Sequence, residues 1–159
     1  MAFVQLADGE LHYQIDGPQD APVLVLSNSL GTDLHMWDAQ IPAFSEHFRV
    51  LRFDTRGHGR SLVTPGPYSI EQLGRDVLAL LDALHIERAH FCGLSMGGLI
   101  GQWLGINAGE RLLSLVVCNT AEKIGKPAVW DPRIEMVLRD GAASMVSLRK
   151  KKKKIIINK

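Results

Sequence analysis

The sequence predicts an α/β fold in which a mostly parallel sheet is flanked by helices on both faces and carries an antiparallel edge. Three observations predict it. Short β-rich runs alternate with helical segments through the first 120 residues, the order expected of repeated strand-helix units. Two of the runs, "PVLVLSN" and "RLLSLVVCNT", are close to continuously apolar at strand length, as strands buried on both faces are. Polar, glycine-containing loops ("SNSLGTD", "DTRGHGRS" and "GLSMGG") follow three of the strands, and in such sheets functional residues gather beyond the C-terminal strand ends.

Taken in order, "FVQLADGELHYQID" holds two alternating runs separated by Ala7, Asp8 and Gly9, the pattern of an antiparallel hairpin. "PVLVLSN" is a buried strand, "MWDAQIPAFSEHF" carries a short helix, and "RVLRFD" returns to strand. The best-marked helix follows, because Ile70, Leu73, Val77, Leu80, Leu81 and Leu84 recur at helical spacing. Ser69 with Gln72 three residues later forms a capping box, and Tyr68 is placed to staple onto Leu73. "RAHFCGLS" is the next strand, "MGGLIGQWLGINAG" the next helix and "RLLSLVVCNT" the last strand, after which the pattern changes beyond Ala121. No internal repeat is visible, and no linker divides the first 120 residues.

At 159 residues, 46% hydrophobic and 22% charged, the chain has the composition of one soluble globular domain with a substantial core. Its apolar runs fall far short of the roughly 20 residues a membrane helix needs, and "MAFVQLADGE" lacks the basic start and apolar segment of a secretory signal. A cytoplasmic protein without a membrane partner is the expectation. Cys92 and Cys118 lie inside apolar runs, where free cysteine behaves as a small hydrophobe, and no histidine pattern completes a zinc set with them. The formal charge of +1 conceals an asymmetry. Arg149 to Lys159 holds seven basic residues and no acidic one, leaving 11 basic against 17 acidic elsewhere, a net of −6. An acidic body argues against a nucleic-acid partner. The segment "RKKKKKIIINK" (149–159) reads as an exposed, disordered tail, or as the product of translation past a break in frame.

"GLSMG" matches G-x-S-x-G through Gly93, Ser95 and Gly97, and it stands between a strand and a helix, the context that gives the pattern meaning. A serine at such a turn adopts a strained backbone that only small neighbours permit, which exposes the hydroxyl as a nucleophile beside helix amides. The plain alternative is a serine capping the helix from Met96 onward. Gly93, Gly97 and Gly98 together favour the nucleophile, and the two roles are compatible. The loop "SNSLGTDLHMW" offers a backbone amide for an oxyanion; by position it is that of Leu30, with Met96 supplying the second. Otherwise the loop is a polar connection with turn residues Asn28, Ser29 and Gly31. In "DTRGHGRS" the expected role of Asp54 and Arg56 is to hold backbone around a glycine-containing turn. A triad of Asp54, His58 and Ser95 would reverse the serine, acid, histidine order of this fold. All six histidines (12, 35, 47, 58, 85 and 90) precede Ser95. Neither glycine cluster spells G-x-G-x-x-G, since Ser95 follows Gly93 at the second glycine position and Leu62 stands at the third after Gly57 and Gly59. No dinucleotide cofactor is expected.

With these loops in this order the chain resembles the α/β-hydrolase superfamily. The narrower wording of "LSNSLGTDLHMWDAQIPAF", "RVLRFDTRGHGRS", "PYSIEQLGRDVLALLDAL" and "FCGLSMGGLIGQWLG" resembles the 3-oxoadipate enol-lactonase family from about Phe3 to Ser147. "SNSLG" stands where other members carry an H-G pair. The resemblance implies cofactor-free hydrolysis of an enol-lactone in the β-ketoadipate route of aromatic-compound degradation. It implies Ser95 as nucleophile, the Leu30 and Met96 amides as oxyanion hole, and no metal. It further implies a division into an α/β-hydrolase core (1–121) and the start of a helical cap (122–148), with the tail at 149–159. On that cap Trp130 would face the substrate, and Arg133 would pair with its carboxylate or face solvent. Such a family continues to further strands bearing the catalytic aspartate and histidine, whereas this sequence reaches "KKKKKIIINK" first. The expectation is a fold incomplete at the C-terminus and a chain inactive by itself. Two alternatives stand beside it: a non-catalytic fragment binding a small carboxylate or a partner, and an esterase of the same fold with another substrate. The sequence does not give the oligomeric state.

Overall fold

A computed structural model describes residues 2–123, 125 and 127–141. All six strand runs form strands: β1 (Ala2–Leu6), β2 (Gly9–Asp16), β3 (Val23–Ser27), β4 (Arg49–Phe53), β5 (Ala89–Leu94) and β6 (Leu112–Cys118). The helices are α1 (Ile41–Phe44), α2 (Ile70–Ala83), α3 (Met96–Asn107) and α4 (Pro127–Asp140), with 3-10 turns at Leu34–Trp37 and Gly109–Arg111. The short helix expected in "MWDAQIPAFSEHF" is α1, with Pro42 near its start, and a separate 3-10 turn precedes it, capped by Asp33 through the His35 amide.

The strands join in the order β1-β2-β4-β3-β5-β6. The hairpin β1–β2 adds antiparallel to β4, while β4, β3, β5 and β6 run parallel. This order sets β3 between β4 and β5, so the ends of all three, and the loops leaving them, lie side by side. Alternation along β3 and β4 divides the core between two faces. Val25, Leu51 and Phe53 join one cluster with Leu73, Val77, Leu80 and Leu81 of α2 and Ile100 and Leu104 of α3. Leu24, Leu26 and Val50 join another with Trp37, against which Ile41 and Phe44 of α1 pack. Burial of the four α2 side chains alone contributes roughly 6–12 kcal/mol before ordering entropy is charged against it.

The ends of α2 show how local sequence fixes a boundary. Ser69 takes the Gln72 amide on its hydroxyl at 3.0 Å, as the sequence predicts. At the other end His85 holds φ 54°, a left-handed position where glycine is usual. The amides of His85 and Ile86 then close on the carbonyls of Asp82 and Leu81 at 3.0 and 2.8 Å, and Ile86 enters the core beside Leu80 and Leu81. His85 therefore terminates the helix with its backbone.

β6 is the sheet edge opposite β1 among the described residues, and it exposes Leu113, Leu115, Val116 and Val117. The chain divides into two compact units, Met1–Glu122 and Lys123–Lys159. In the second, α4 contains Pro132, and the Arg133 guanidinium lies over the Trp130 ring at 5.1 Å from its centroid. Residues 142–148 of the expected cap and the tail at 149–159 lie outside the described residues.

Candidate active site

The site begins where β5 ends. Leu94 closes the strand and α3 starts at Met96, so Ser95 alone must reverse the chain, and it does so at φ 57°, ψ −111°. That backbone is costly for any residue with a Cβ, on the order of 1–3 kcal/mol. The surroundings hold it in place. The Ser95 amide donates to the Cys118 carbonyl at 2.8 Å, and the Ser95 carbonyl accepts from the Leu99 amide at 3.1 Å. The three glycines permit contacts that a side chain would block. A Cβ at Gly93 would sit 2.1 Å from the Gly97 carbonyl oxygen, one at Gly97 2.2 Å from that of Ser27, and one at Gly98 2.7 Å from the Thr120 side chain. Backbone thus packs on backbone, and helix α3 lies close against the strand ends.

Ser95 occupies the helix N-cap position, yet its side chain makes no capping bond. Among the described residues its half-buried hydroxyl makes no hydrogen bond at all. The capping role therefore belongs to its backbone position only, and the hydroxyl is left available at the positive end of α3.

The loop after β3 reaches this point through Asn28. Ser27 is paired with Gly93 in the sheet register, and the Asn28 carbonyl accepts the Gly97 amide at 3.0 Å. Asn28 is fully buried; its Nδ2 donates to the Phe53 carbonyl at 2.8 Å, and its Oδ1 accepts from the Trp37 indole at 2.9 Å. One residue therefore joins β4 and the 3-10 turn through its side chain and the elbow through its backbone carbonyl. The amides that follow are not equivalent. Ser29 N–H points to the Met36 sulfur at 3.3 Å and Gly31 N–H donates to His58 Nε2 at 3.0 Å. Leu30 N–H, between them, has no acceptor among the described residues, and neither has Met96 N–H in the first turn of α3. Two unsatisfied amides on segments joined by the Gly97–Asn28 bond are what an oxygen gaining negative charge would require.

The "DTRGHGRS" turn supports this arrangement. Asp54 is buried and accepts the Leu34 amide on Oδ1 at 2.8 Å, and the Arg60 amide and His12 Nδ1 on Oδ2 at 2.9 and 2.8 Å. Its expected backbone-holding role is what the structure shows. Arg56 differs from the expectation: it grips carboxylates, not backbone, contacting Asp76 through Nε at 2.8 Å and Nη2 at 2.6 Å, with Asp8 on its outer side. The Asp76 and Asp8 carboxylates raise the Arg56 pKa above its ordinary value, and the guanidinium lowers that of Asp8. This pairing ties the turn to α2 and to the β1–β2 hairpin.

No described histidine meets the Ser95 hydroxyl. His12 pairs with Asp54, His35 with Asp38 at 3.1 Å, His58 with Gly31, and His90 with Ser114 at 2.8 Å. Cys92, on the strand leading to Ser95, is a free thiol whose pKa is pushed up to about 11, first by burial and then by Cys118. Among the described residues no cluster of metal-ligating side chains occurs, and no helix is long and apolar enough to cross a membrane. Ser95, Leu30 and Met96 belong to the first compact unit; Trp130 and Arg133 lie on α4 in the second. Sequence reasoning treated Asn28 as a turn residue and gave His58 no role, because their partners are brought to them by sheet order.

The family model for the alpha/beta hydrolase fold matches residues 22–141. The chain is 52% identical over 134 residues to 3-oxoadipate enol-lactonase 2 of Acinetobacter baylyi, covering 84% of this chain and 50% of that protein. The crystal structure of the enol-lactonase from Burkholderia xenovorans superposes with a TM-score of 0.89 at 52% identity, over 92% of this chain and 57% of the other. That of a hydrolase from Pseudomonas aeruginosa gives 0.82 at 56% identity, over 86% and 52%. The chain spans about half the length of the curated relatives it matches.

Proposed function

The chain belongs to the α/β-hydrolase fold family, and on that ground we propose that it carries the nucleophile and oxyanion hole of an enol-lactone hydrolase. The observation that carries the reading is Ser95 itself, a serine held at φ 57° between strand and helix with a hydroxyl that makes no hydrogen bond among the described residues. Ser95 Oγ attacks the lactone carbonyl, and the carbonyl oxygen takes the developing charge into the Leu30 and Met96 amides. Collapse of the tetrahedral species breaks the ring C–O bond and leaves an acyl-enzyme, from which water releases the open acid. The similarity to enol-lactonases at 52% identity supports 3-oxoadipate enol-lactone as the substrate, in a cytoplasmic route of aromatic-compound breakdown. In this reading residues 1–121 form the core, 122–148 begin a cap, Trp130 faces the substrate, and Arg133 faces solvent or pairs with the substrate carboxylate.

The reaction needs a base for the serine proton, and the six histidines of these 159 residues all precede Ser95, with none bonded to its hydroxyl among the described residues. Losing the histidine of a related triad, in subtilisin, costs on the order of 10⁶ in turnover. The 159 residues alone are therefore expected to be essentially without turnover while still presenting the nucleophile. Prolonged incubation with excess serine-reactive phosphonate, with imidazole added as an external base, tests this: mass spectrometry should find one adduct, on Ser95, absent from Ser95→Ala. Lack of any adduct overturns the nucleophile. Lactone or ester turnover that Ser95→Ala abolishes overturns the claim of inactivity.

A further inference from the structure

We propose that His58 is a positioning residue for the oxyanion loop, holding the Leu30 amide in place by fixing the amide next to it. The assignment rests on the reading of Leu30 as an oxyanion donor. His58 lies 27 residues from Gly31 in sequence, yet its Nε2 receives the Gly31 N–H at 3.0 Å, while its Nδ1 lies 3.1 Å from the Arg56 carbonyl. The two partners determine the state of the ring. A backbone N–H can only donate and a carbonyl can only accept, so Nδ1 carries the proton and Nε2 presents its lone pair. A histidine with one ring nitrogen anchored on its own turn and the other spent on a neighbouring loop acts as a strut of fixed length.

The strut matters because of where it lands. Gly31 takes φ 72°, a left-handed conformation, at the third position of a turn that Thr32 closes by donating its amide and its hydroxyl to the Ser29 carbonyl at 3.3 and 2.6 Å, and the His58 bond adds a third fastening from outside that turn. Asn28 fixes the loop on one side of Leu30 through the Phe53 carbonyl and the Trp37 indole, and Asp54 fixes Leu34 on the other. Between those anchors the Thr32 hydroxyl and the Met36 sulfur hold Ser29, and the His58 bond is the side-chain contact made directly to the Gly31 N–H, in the peptide plane that follows Leu30. It also consumes the Gly31 N–H, so that the Leu30 amide alone remains to meet an oxyanion. Arg56, the residue His58 leans on, is itself clamped by Asp76 and Asp8, which makes the base of the strut rigid. Gly59 permits the turn to close on Asp54, since a Cβ there would stand 2.1 Å from the Asp54 carboxylate.

The test uses the 159-residue chain with two readouts: amide hydrogen exchange at Gly31, and the rate of phosphonate labelling at Ser95. His58→Ala removes the strut, His58→Phe keeps the ring but lacks the acceptor, and His58→Gln restores an acceptor at the position of Nε2. Loss of one such bond should speed Gly31 exchange roughly three- to tenfold. Labelling should slow by about tenfold, less than the 10²–10³ expected for outright loss of an oxyanion donor. Both effects should appear in the Ala and Phe variants and recede in His58→Gln, with the thermal midpoint unchanged. Gly31 exchange that stays at the wild-type rate in His58→Phe overturns the proposal, as does labelling that falls equally in all three variants. A wild-type chain that takes no label overturns the serine-hydrolase reading instead, and with it the function assigned to the strut.

Discussion

Replacing Asn28 with alanine should remove more stability than its size suggests. The methyl group cannot replace the Nδ2 bond to the Phe53 carbonyl or the Oδ1 bond from the Trp37 indole, at 2.8 and 2.9 Å. Phe53 and Trp37 are 1% and 8% exposed, so water does not readily take over either role. Leaving a buried donor or acceptor unpaired costs about 1–3 kcal/mol, so the two together cost about 4 kcal/mol. That is a large part of the 5–15 kcal/mol typical of a folded domain. Urea unfolding followed by tryptophan fluorescence and far-ultraviolet circular dichroism would show the midpoint falling by roughly 2 M at an ordinary slope. Asn28→Asp keeps the acceptor for Trp37 and turns an oxygen toward the Phe53 carbonyl, so it should be no better than the alanine variant despite identical shape. A loss below about 1 kcal/mol for Asn28→Ala, with the slope unchanged, would refute the claim that this side chain ties the loop to the sheet.

Four further outcomes follow from the structure. Ser95→Gly should stabilise the chain by about 1 kcal/mol, because glycine accepts the elbow backbone without the strain serine bears, less its own entropic cost; a lower thermal midpoint would contradict this. Cys92, with its thiol pushed up to about 11, should be alkylated at pH 8 on the order of a hundredfold more slowly in the folded chain than in urea. Because the folded thiol ionises later than the unfolded one, its contribution to stability is intact below the ordinary value of 9.0 and declines as pH rises toward 11, which chemical unfolding at a series of pH values would detect. The apolar edge of β6, with Val116 half exposed, should drive the isolated chain to self-associate, and Val116→Lys should reduce that association in light scattering; a monodisperse wild-type monomer would overturn this.

Much of the fold was legible because its signals are local. The alternation in "FVQLADGELHYQID", the continuous apolar character of "PVLVLSN" and the helical spacing from Ile70 to Leu81 each lie within one element. The Ser69 cap was legible for the same reason, its partner being three residues away. Ser95 stood out because glycine at 93 and 97 has few other uses at a strand-helix junction. What was not legible depends on register. Asn28 resembles any loop asparagine until β4 is set beside β3, bringing the Phe53 carbonyl to it. Arg56 was expected to hold backbone, but its carboxylates are 48 and 20 residues away and meet it only when the hairpin and α2 converge on the turn. His58 needed both loops in place before its ring had partners. The short helix expected after Met36 is α1, and what was not legible is the separate 3-10 turn before it, which Asp33 caps and which ends at Trp37.

The division of labour at the elbow also sets which positions can vary. Gly93, Gly97 and Gly98 face backbone or side-chain atoms less than 3 Å from any added carbon, so a saturation library selected for folding and phosphonate capture should retain glycine there almost alone. Leu30 and Met96 contribute amides, which every residue but proline possesses. Leu30, 37% exposed, should drift freely in side chain, Met96, packed against the core, should vary among apolar residues, and both should reject proline. A comparison that ranks residues by side-chain identity would therefore pass over both proposed oxyanion donors while marking the packing spacers as invariant, and the informative substitution at either amide position is the one to proline.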